Sequence, residues 1–101
     1  MATSTVKSNN LSLHIETLTA SSITISGNSG KNGEIAIPSV TGYKPIGLIG
    51  WECSAWEVAP SKLTTIVSGA KVWYSLANAS TSSKTVDFSM KVLYVPTSWT
   101  V

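Results

Sequence analysis

The residues that could take part in acid–base or metal chemistry are few, and they form no cluster in the sequence. His14 is the single histidine, and the nearest acidic residue is Glu16. A metal site needs several convergent His, Cys, Asp or Glu ligands, and a general base needs a partner that orients it. Neither pattern surrounds His14, so we interpret it as a solvent-facing side chain on the polar face of a strand. We expect neither a metal nor a cofactor.

The remaining reactive groups also give no catalytic pattern. Glu52 and Glu57 stand five residues apart, and this spacing does not assign the acid and base of a glycosidase. Asp87 and Lys91 have the spacing of an ion pair on one strand face. Cys53 has no neighbour that would lower a thiol pKa, which fits a small buried apolar residue. We predict that the chain is not an enzyme, with a hydrolase as a remote alternative.

The charge pattern argues against nucleic acid as a partner, and the distribution of apolar residues argues against membrane insertion. Seven lysines and no arginine stand against five acidic groups, for a net charge of +2, and the lysines are spread along the chain. Nucleic-acid binding needs a basic patch and favours arginine. No apolar run approaches the ~18 residues of a membrane span, and the first residues lack the pattern of a secretory signal. We expect no nucleic-acid partner, no membrane insertion and synthesis in the cytoplasm.

The aromatic residues are the stronger functional signal. Four tryptophans and three tyrosines are many for 101 residues. Trp73 alternates with Val72 and Tyr74, so a two-faced sandwich places either Trp73 or that pair away from its own core. Such a second face either packs against another subunit or forms a platform for a sugar or receptor, and both interpretations stay open. The candidate ligand-binding residues are Trp56, which lies in a predicted loop, Trp51 and Tyr43.

The elements that must position these residues are strands. Residues 71–95 carry the clearest pattern, because apolar and mostly polar residues alternate in both halves and a polar run at 78–83 separates them. We therefore predict a long antiparallel hairpin. One face of its second half should carry Val86, Phe88, Met90, Val92 and Tyr94.

The rest of the chain continues this strand pattern. Leu11, Leu13 and Ile15 are predicted to point inward from a strand at 11–17, which forms a first hairpin with a strand at 22–26. Further predicted elements are a glycine loop at 27–33, a strand at 34–37, a central strand at 46–53, an irregular segment at 54–61 and a strand at 63–67. The central strand is predicted to be buried on both faces, and Gly47 and Gly50 would allow bulges in it.

These seven or eight predicted strands, with no convincing helix, indicate one all-β domain. The fold class we predict is an antiparallel β-sandwich, jelly-roll-like, over residues 11–101. Residues 1–10 lack any period, and we expect a frayed terminus, an arm along a partner subunit or the junction with a longer protein. The low charged share of 12%, against about 25% in average proteins, fits a subunit of an oligomer.

Several stretches resemble a known family. The segments 28–38, 41–51, 72–78 and 92–96 are similar to the C-terminal domains of tail-fibre and receptor-binding proteins of tailed bacteriophages and their prophage relatives. The anchors of the resemblance are a Gly-Tyr-x-Pro-Ile-Gly-x-x-Gly segment and a closing Leu-Tyr-Val strand. The likeness covers about residues 22–96.

The resemblance implies a β-sandwich head that assembles as a homotrimer at the distal end of a phage tail. Such a head adsorbs to the host cell surface, often to a saccharide, and its other partners are tail proteins. It is located in the virion after assembly in the bacterial cytoplasm. About ten residues precede the first predicted strand, so we expect either an excised head or a small stand-alone virion component. The alternative function is a structural protein that decorates a capsid or tail and binds only viral protein.

Overall fold

The computed structural model describes residues 12–66 and 70–99, which form six strands. The predicted arm at 1–10, Leu11 and the last residue of the strand predicted at 63–67 lie outside the described residues. No helix among the described residues is long and apolar enough to cross a membrane. The strands are β1 (His14–Ile25), β2 (Gly30–Ala36), β3 (Tyr43–Cys53), β4 (Val58–Ile66), β5 (Lys71–Asn78) and β6 (Lys84–Pro96).

The six strands form two antiparallel sheets of three strands each. Sheet I has the order β1-β6-β3 and sheet II has the order β2-β5-β4. Of the five connections between the described strands, four pass from one sheet to the other, and β4 and β5 are sequential neighbours within sheet II. The predicted all-β antiparallel sandwich is confirmed.

The core lies between the two central strands, β5 and β6. The residues of β6 that were predicted to share one face are all buried, with exposed fractions of 1% or less, and these are Val86, Phe88, Met90, Val92 and Tyr94. Val72, Tyr74 and Leu76 of β5 face them from sheet II. The rings of Tyr74 and Phe88 are 5.2 Å apart at their centroids. Burying each such side chain contributes about 1.5–3 kcal/mol.

The prediction that residues 71–95 form one hairpin is wrong. β5 is bonded to β2 and β4, and β6 is bonded to β1 and β3, so the two strands meet face to face across the core. Each has neighbours on both sides, which leaves neither with a free edge for the other. The polar run between them crosses from sheet II to sheet I instead of making a hairpin turn.

The predicted first hairpin is also absent, because 14–25 is one strand with a bulge. The pairing of β1 with β6 shifts register between Ala20 and Ile23. Ser22 has a φ of 56°, and its backbone N–H donates to Oδ1 of Asp87 at 2.9 Å. The bulge between Ala20 and Ile23 thus lies close to the place where the sequence predicted a turn between strands 11–17 and 22–26.

The inward face of β1 is the opposite of the predicted one. Leu18 lies opposite Met90 and is 7% exposed, whereas Ile15 lies opposite Leu93 and is 50% exposed. Alternation along the strand then turns His14 and Glu16 to the side of the core and Leu13 to the outer side. The expectations of an inward Leu13 and Ile15, and of His14 on the solvent face, are both corrected by this register.

β3 is an edge strand of sheet I and not the doubly buried central strand that was predicted. Ile46 and Ile49 are 39% and 51% exposed. The register shifts between Pro45 and Gly47 and again between Leu48 and Gly50, which confirms the bulges expected near the two glycines. Each bulge inserts one isoleucine without a partner in the ladder.

The boundaries of the sheet II strands differ from the predicted ones. β2 begins at Gly30, inside the predicted loop at 27–33, and β4 begins at Val58, inside the stretch predicted to be irregular. Pro60 lies within β4, which is possible because β4 is at the edge of its sheet and loses no ladder bond there. Gly30, Gly33 and Pro60 therefore lie within edge strands, and not in the loop or the irregular segment that the sequence predicted.

Candidate functional site

The outer face of sheet II carries an aromatic side chain at its centre. Trp73 projects from the middle of β5, away from the core, and lies between Glu34 on β2 and Thr64 on β4. Its side chain is 43% exposed. The prediction that Trp73 and the pair Val72 and Tyr74 point in opposite directions is confirmed.

Glu34 fixes the indole of Trp73 in place. The Trp73 Nε1–H donates to Glu34 Oε2 at 3.1 Å, and Lys71 Nζ donates to Glu34 Oε1 at 2.8 Å. The hydrogen bond from Lys71, then that from Trp73 and the charge of Lys71, hold the pKa of Glu34 below its ordinary value. A charged carboxylate with two donors keeps the ring from turning freely.

A groove of about 700 Å³ runs beside this indole. Lys62 pairs with Ser75 in the ladder, two positions from the pair of Thr64 and Trp73 and on the same face of the sheet. The Ser75 Oγ–H donates to Asn32 Oδ1 at 2.7 Å. The lining residues are Asn32, Gly33, Lys62, Thr64, Trp73, Tyr74 and Ser75. The groove thus combines one aromatic wall with hydroxyl, amide and ammonium groups.

The groove is supported from inside by Tyr74. A Cβ at Gly33 would collide with the Tyr74 hydroxyl, so the ring passes directly under the β2 backbone. Burial raises the pKa of Tyr74. The absence of a side chain at Gly33 therefore lets the core ring of Tyr74 reach up to the groove.

The three residues predicted to bind a ligand do not share one surface. Tyr43 begins β3 and Trp51 lies near its end, eight residues further on, which is about 25 Å at about 3.3 Å per residue. The Trp51 ring is 6.3 Å from Phe88 and is 46% exposed. Trp56 lies in the connection from β3 to β4 and is 89% exposed. Binding at these residues stays a prediction, and it is the alternative to a binding site at Trp73.

Tyr43 is held by local contacts. Its hydroxyl donates to the Ser12 carbonyl at 3.0 Å, and its ring is 5.5 Å from the His14 ring. His14 Nε2 lies 2.5 Å from Glu16 Oε2. The Tyr94 hydroxyl donates to the Pro38 carbonyl at 2.6 Å, and burial, followed by the charge of Glu16, raises the pKa of Tyr94. Both hydroxyls near His14 therefore bond to backbone and are not free to relay a proton.

Asp87 and Glu57 have structural partners, and Cys53 is partly buried. Asp87 accepts the bulge N–H of Ser22, and the predicted pair with Lys91 is not among the ion pairs of the described residues. Glu57 lies 3.6 Å from Lys84. Cys53 is partly buried against the core, and burial raises the pKa of its thiol. Among the residues that the structure describes, no three of His, Cys, Asp and Glu are grouped as metal ligands would be.

The polar groups of the groove were not predicted from the sequence. The alternation in β5 could have placed Trp73 and Ser75 on one face. Asn32, Lys62 and Thr64 come from two other strands, and the register that brings them to Trp73 is a property of the sheet.

Neither the family models, nor the curated proteins, nor the solved structures that were compared with this chain gave a match. The geometry of the chain itself therefore defines its class. It is a small all-β sandwich with a fixed tryptophan and a polar groove on the outer face of one sheet.

Proposed function

We propose that this chain is a receptor-binding head of a tailed-phage virion, and that it adsorbs to the host cell surface by binding a saccharide. The observation that carries this proposal is the groove beside Trp73. A sugar ring has an apolar C–H face and a rim of hydroxyls, which match an indole wall next to hydroxyl and amide groups. The head is a binding protein without catalysis of its own.

The fixed indole lowers the entropy cost of binding, which matters most for a weakly bound ligand. Ordering a loose tryptophan would lose about 0.5–1.5 kcal/mol of binding free energy. The Trp73 indole is already held by Glu34 in the free chain. Asn32 and Ser75 are likewise bonded to each other at 2.7 Å, so the polar side of the groove is ordered before a ligand arrives.

We infer that two further copies of this chain cover the apolar part of the outer face of sheet I, around Ile15 and Leu93. Ile15, Leu93 and Gly47 form one outward row across this face. Leu13 next to that row is 53% exposed, and Ile15 is 50% exposed. Because the two sheets point in opposite directions, a trimer formed through sheet I leaves three sheet II grooves outside. Linking weak sites in this way multiplies their effect by avidity.

The proposal is tested with immobilised bacterial cell-wall polysaccharides and with virions. We expect the labelled chain to be retained on at least one polysaccharide and on cells that display it, with other tail proteins holding it in the virion. Retention on virion proteins alone, with no binding to any polysaccharide or cell, would contradict the proposal. That result would support the structural protein of capsid or tail instead.

A further inference from the structure

The groove beside Trp73 carries an unbalanced positive charge. Lys62 is its one formally charged lining residue, and the other lining side chains that the structure describes are neutral. The nearby carboxylate of Glu34 is already shared by Lys71 and Trp73. No acidic group of the groove lining therefore balances Lys62.

Lys62 and Trp73 are placed to contact the same sugar unit. Thr64 lies directly opposite Trp73, and Lys62 lies two residues before Thr64 on the same outward face. Diagonal neighbours of this kind lie about 7–8 Å apart, with their Cβ atoms somewhat closer. A hexose that stacks on the indole can therefore direct an exocyclic acid group toward the lysine ammonium.

We propose that the groove selects sugars that carry an acidic group, a carboxylate or a phosphate, with the sugar ring on Trp73 and the anion on Lys62. This inference rests on the proposed saccharide-binding function and adds the ligand class. A neutral sugar that covers Lys62 takes its charge out of water without a counter-charge. An anion supplies that charge together with a charge-assisted hydrogen bond.

The test follows the indole N–H signal of Trp73 by NMR, and the Trp73→Phe variant identifies this signal among the four tryptophans. The probes are tri-galacturonate and its methyl ester, and galactose 6-phosphate and galactose. We expect each anion to bind about 10-fold more tightly than its neutral partner at low salt. A larger preference in the galacturonate pair indicates a carboxylate ligand, and a larger preference in the galactose pair indicates a phosphate ligand.

Two variants separate the charge from the fold. Lys62→Gln keeps a long polar side chain and removes its charge. The anion and its neutral partner should then bind about equally well. Lys91→Gln makes the same change on the outer face of sheet I and should leave the preference unchanged. The preference should also weaken from 0.01 to 0.15 M salt, because the Debye length falls from about 30 Å to about 8 Å.

Three results would overturn the inference. Equal binding of acid and ester would remove the charge selection while leaving saccharide binding by the groove intact. An anion preference that survives in Lys62→Gln would assign the charge recognition to another residue. No shift of the Trp73 signal with any of the four probes would reject the acidic-sugar site, and retention on polysaccharides would then decide separately whether the proposed function stands.

Discussion

At the scale of single residues, the charge of Glu34 makes the contact that holds Trp73 depend on pH. Its carboxylate accepts hydrogen bonds from the ammonium of Lys71 and the indole of Trp73. Its pKa is lowered from 4.5, first by the bond from Lys71 and then by the bond from Trp73. A lowered pKa in the folded state means that the charged form is favoured by folding. The stabilisation is present above pH 4.5 and is lost as the pH falls through the folded pKa.

We predict that the Trp73 indole N–H signal shifts when the pH falls below 4.5. Protonation of Glu34 removes the negative charge that the indole N–H faces. A pH titration followed by NMR measures the midpoint, and the indole signal of Trp56, which is 89% exposed in its loop, serves as the control. A midpoint above 4.5, or a Trp73 signal that stays constant while Glu34 titrates, would contradict this contact.

Asn78 joins two of the connections between the sheets. It is 2% exposed, and its Nδ2 lies 3.0 Å from the Ile25 carbonyl, 3.3 Å from that of Ser26 and 3.0 Å from that of Ser82. Its Oδ1 accepts the N–H of Ser80 at 2.9 Å. One side chain therefore holds the β1–β2 turn against the β5–β6 connection.

We predict that Asn78→Ala lowers the free energy of unfolding by about 2–4 kcal/mol, because it leaves buried carbonyls and one N–H without partners. Urea denaturation measures this change. Asn32→Ala on the exposed outer face is the matched control and should change it by about 1 kcal/mol or less. Equal effects of the two substitutions would show that the buried amide network contributes little.

Gly27 lies at the same junction. A Cβ at this position would collide with the backbone carbonyl of Thr81, whereas a Cβ at Gly50 would meet nothing within 4 Å. We predict that Gly27→Ala destabilises the fold by about 1–3 kcal/mol through overpacking against backbone. Gly50→Ala should stay within about 0.5 kcal/mol of wild type in the same urea experiment. A neutral Gly27→Ala would mean that the two connections are not in contact in solution.

At the scale of elements, strand edges limit how the chain can associate. β1 and β3 have bulges, and β4 has both Pro60 and a bulge. β2 has neither in its pairing with β5, but Lys31 projects from it toward the core side, opposite the fully buried Leu76. Bulges, proline and inward charges all oppose the addition of another strand. Association through faces is therefore favoured over association through edges.

We predict that Lys31→Ile makes the protein associate further as its concentration rises, because the β2 edge loses its inward charge. Sedimentation velocity over a concentration series measures this. Lys62→Ile adds the same side chain to β4, whose edge Pro60 already interrupts, and should not associate in this way. Unchanged sedimentation of Lys31→Ile would show that another feature protects the β2 edge.

The elements also show which parts of the fold the sequence could predict. The alternation in β6 identified its buried face. β6 is the central strand of sheet I, and the face that it turns toward sheet II is apolar along its whole length. The same pattern could not distinguish a hairpin from a crossing between sheets, since β5 and β6 each need an apolar face in both cases. The inward face of β1 was predicted wrongly because Leu13 and Ile15 are apolar as well. Only the pairing with β6 places Leu18 in the core.

At the scale of the whole molecule, the two outer faces have different chemistry. Sheet II presents the Trp73 groove, and sheet I presents an apolar row that contains Ile15 and Leu93. The sequence predicted a second face with two possible roles. It could not locate the groove, because three strands contribute to it and their register is fixed by the complete sheet.

We predict that the chain is a trimer and that Ile15→Lys dissociates it without unfolding it. A lysine at this position would place charge in the proposed interface of sheet I. Light scattering after size exclusion measures the mass, and three copies of a 10.6 kDa chain differ clearly from one. Thr24→Lys, on the polar part of the same strand, is the control and should remain trimeric. A monomeric wild-type chain would contradict the self-assembling head.

The central claim is that the Trp73 groove binds the host saccharide, and its most direct measurement is the Kd of two tryptophan variants on one cell-wall polysaccharide. We predict that Trp73→Ala weakens binding by about 10-fold or more, while Trp56→Ala, which removes an equally large side chain from a loop, leaves it unchanged. Circular dichroism confirms that both variants fold. Wild-type affinity in Trp73→Ala would contradict the account, and a loss in Trp56→Ala would then move the binding site to the β3–β4 loop.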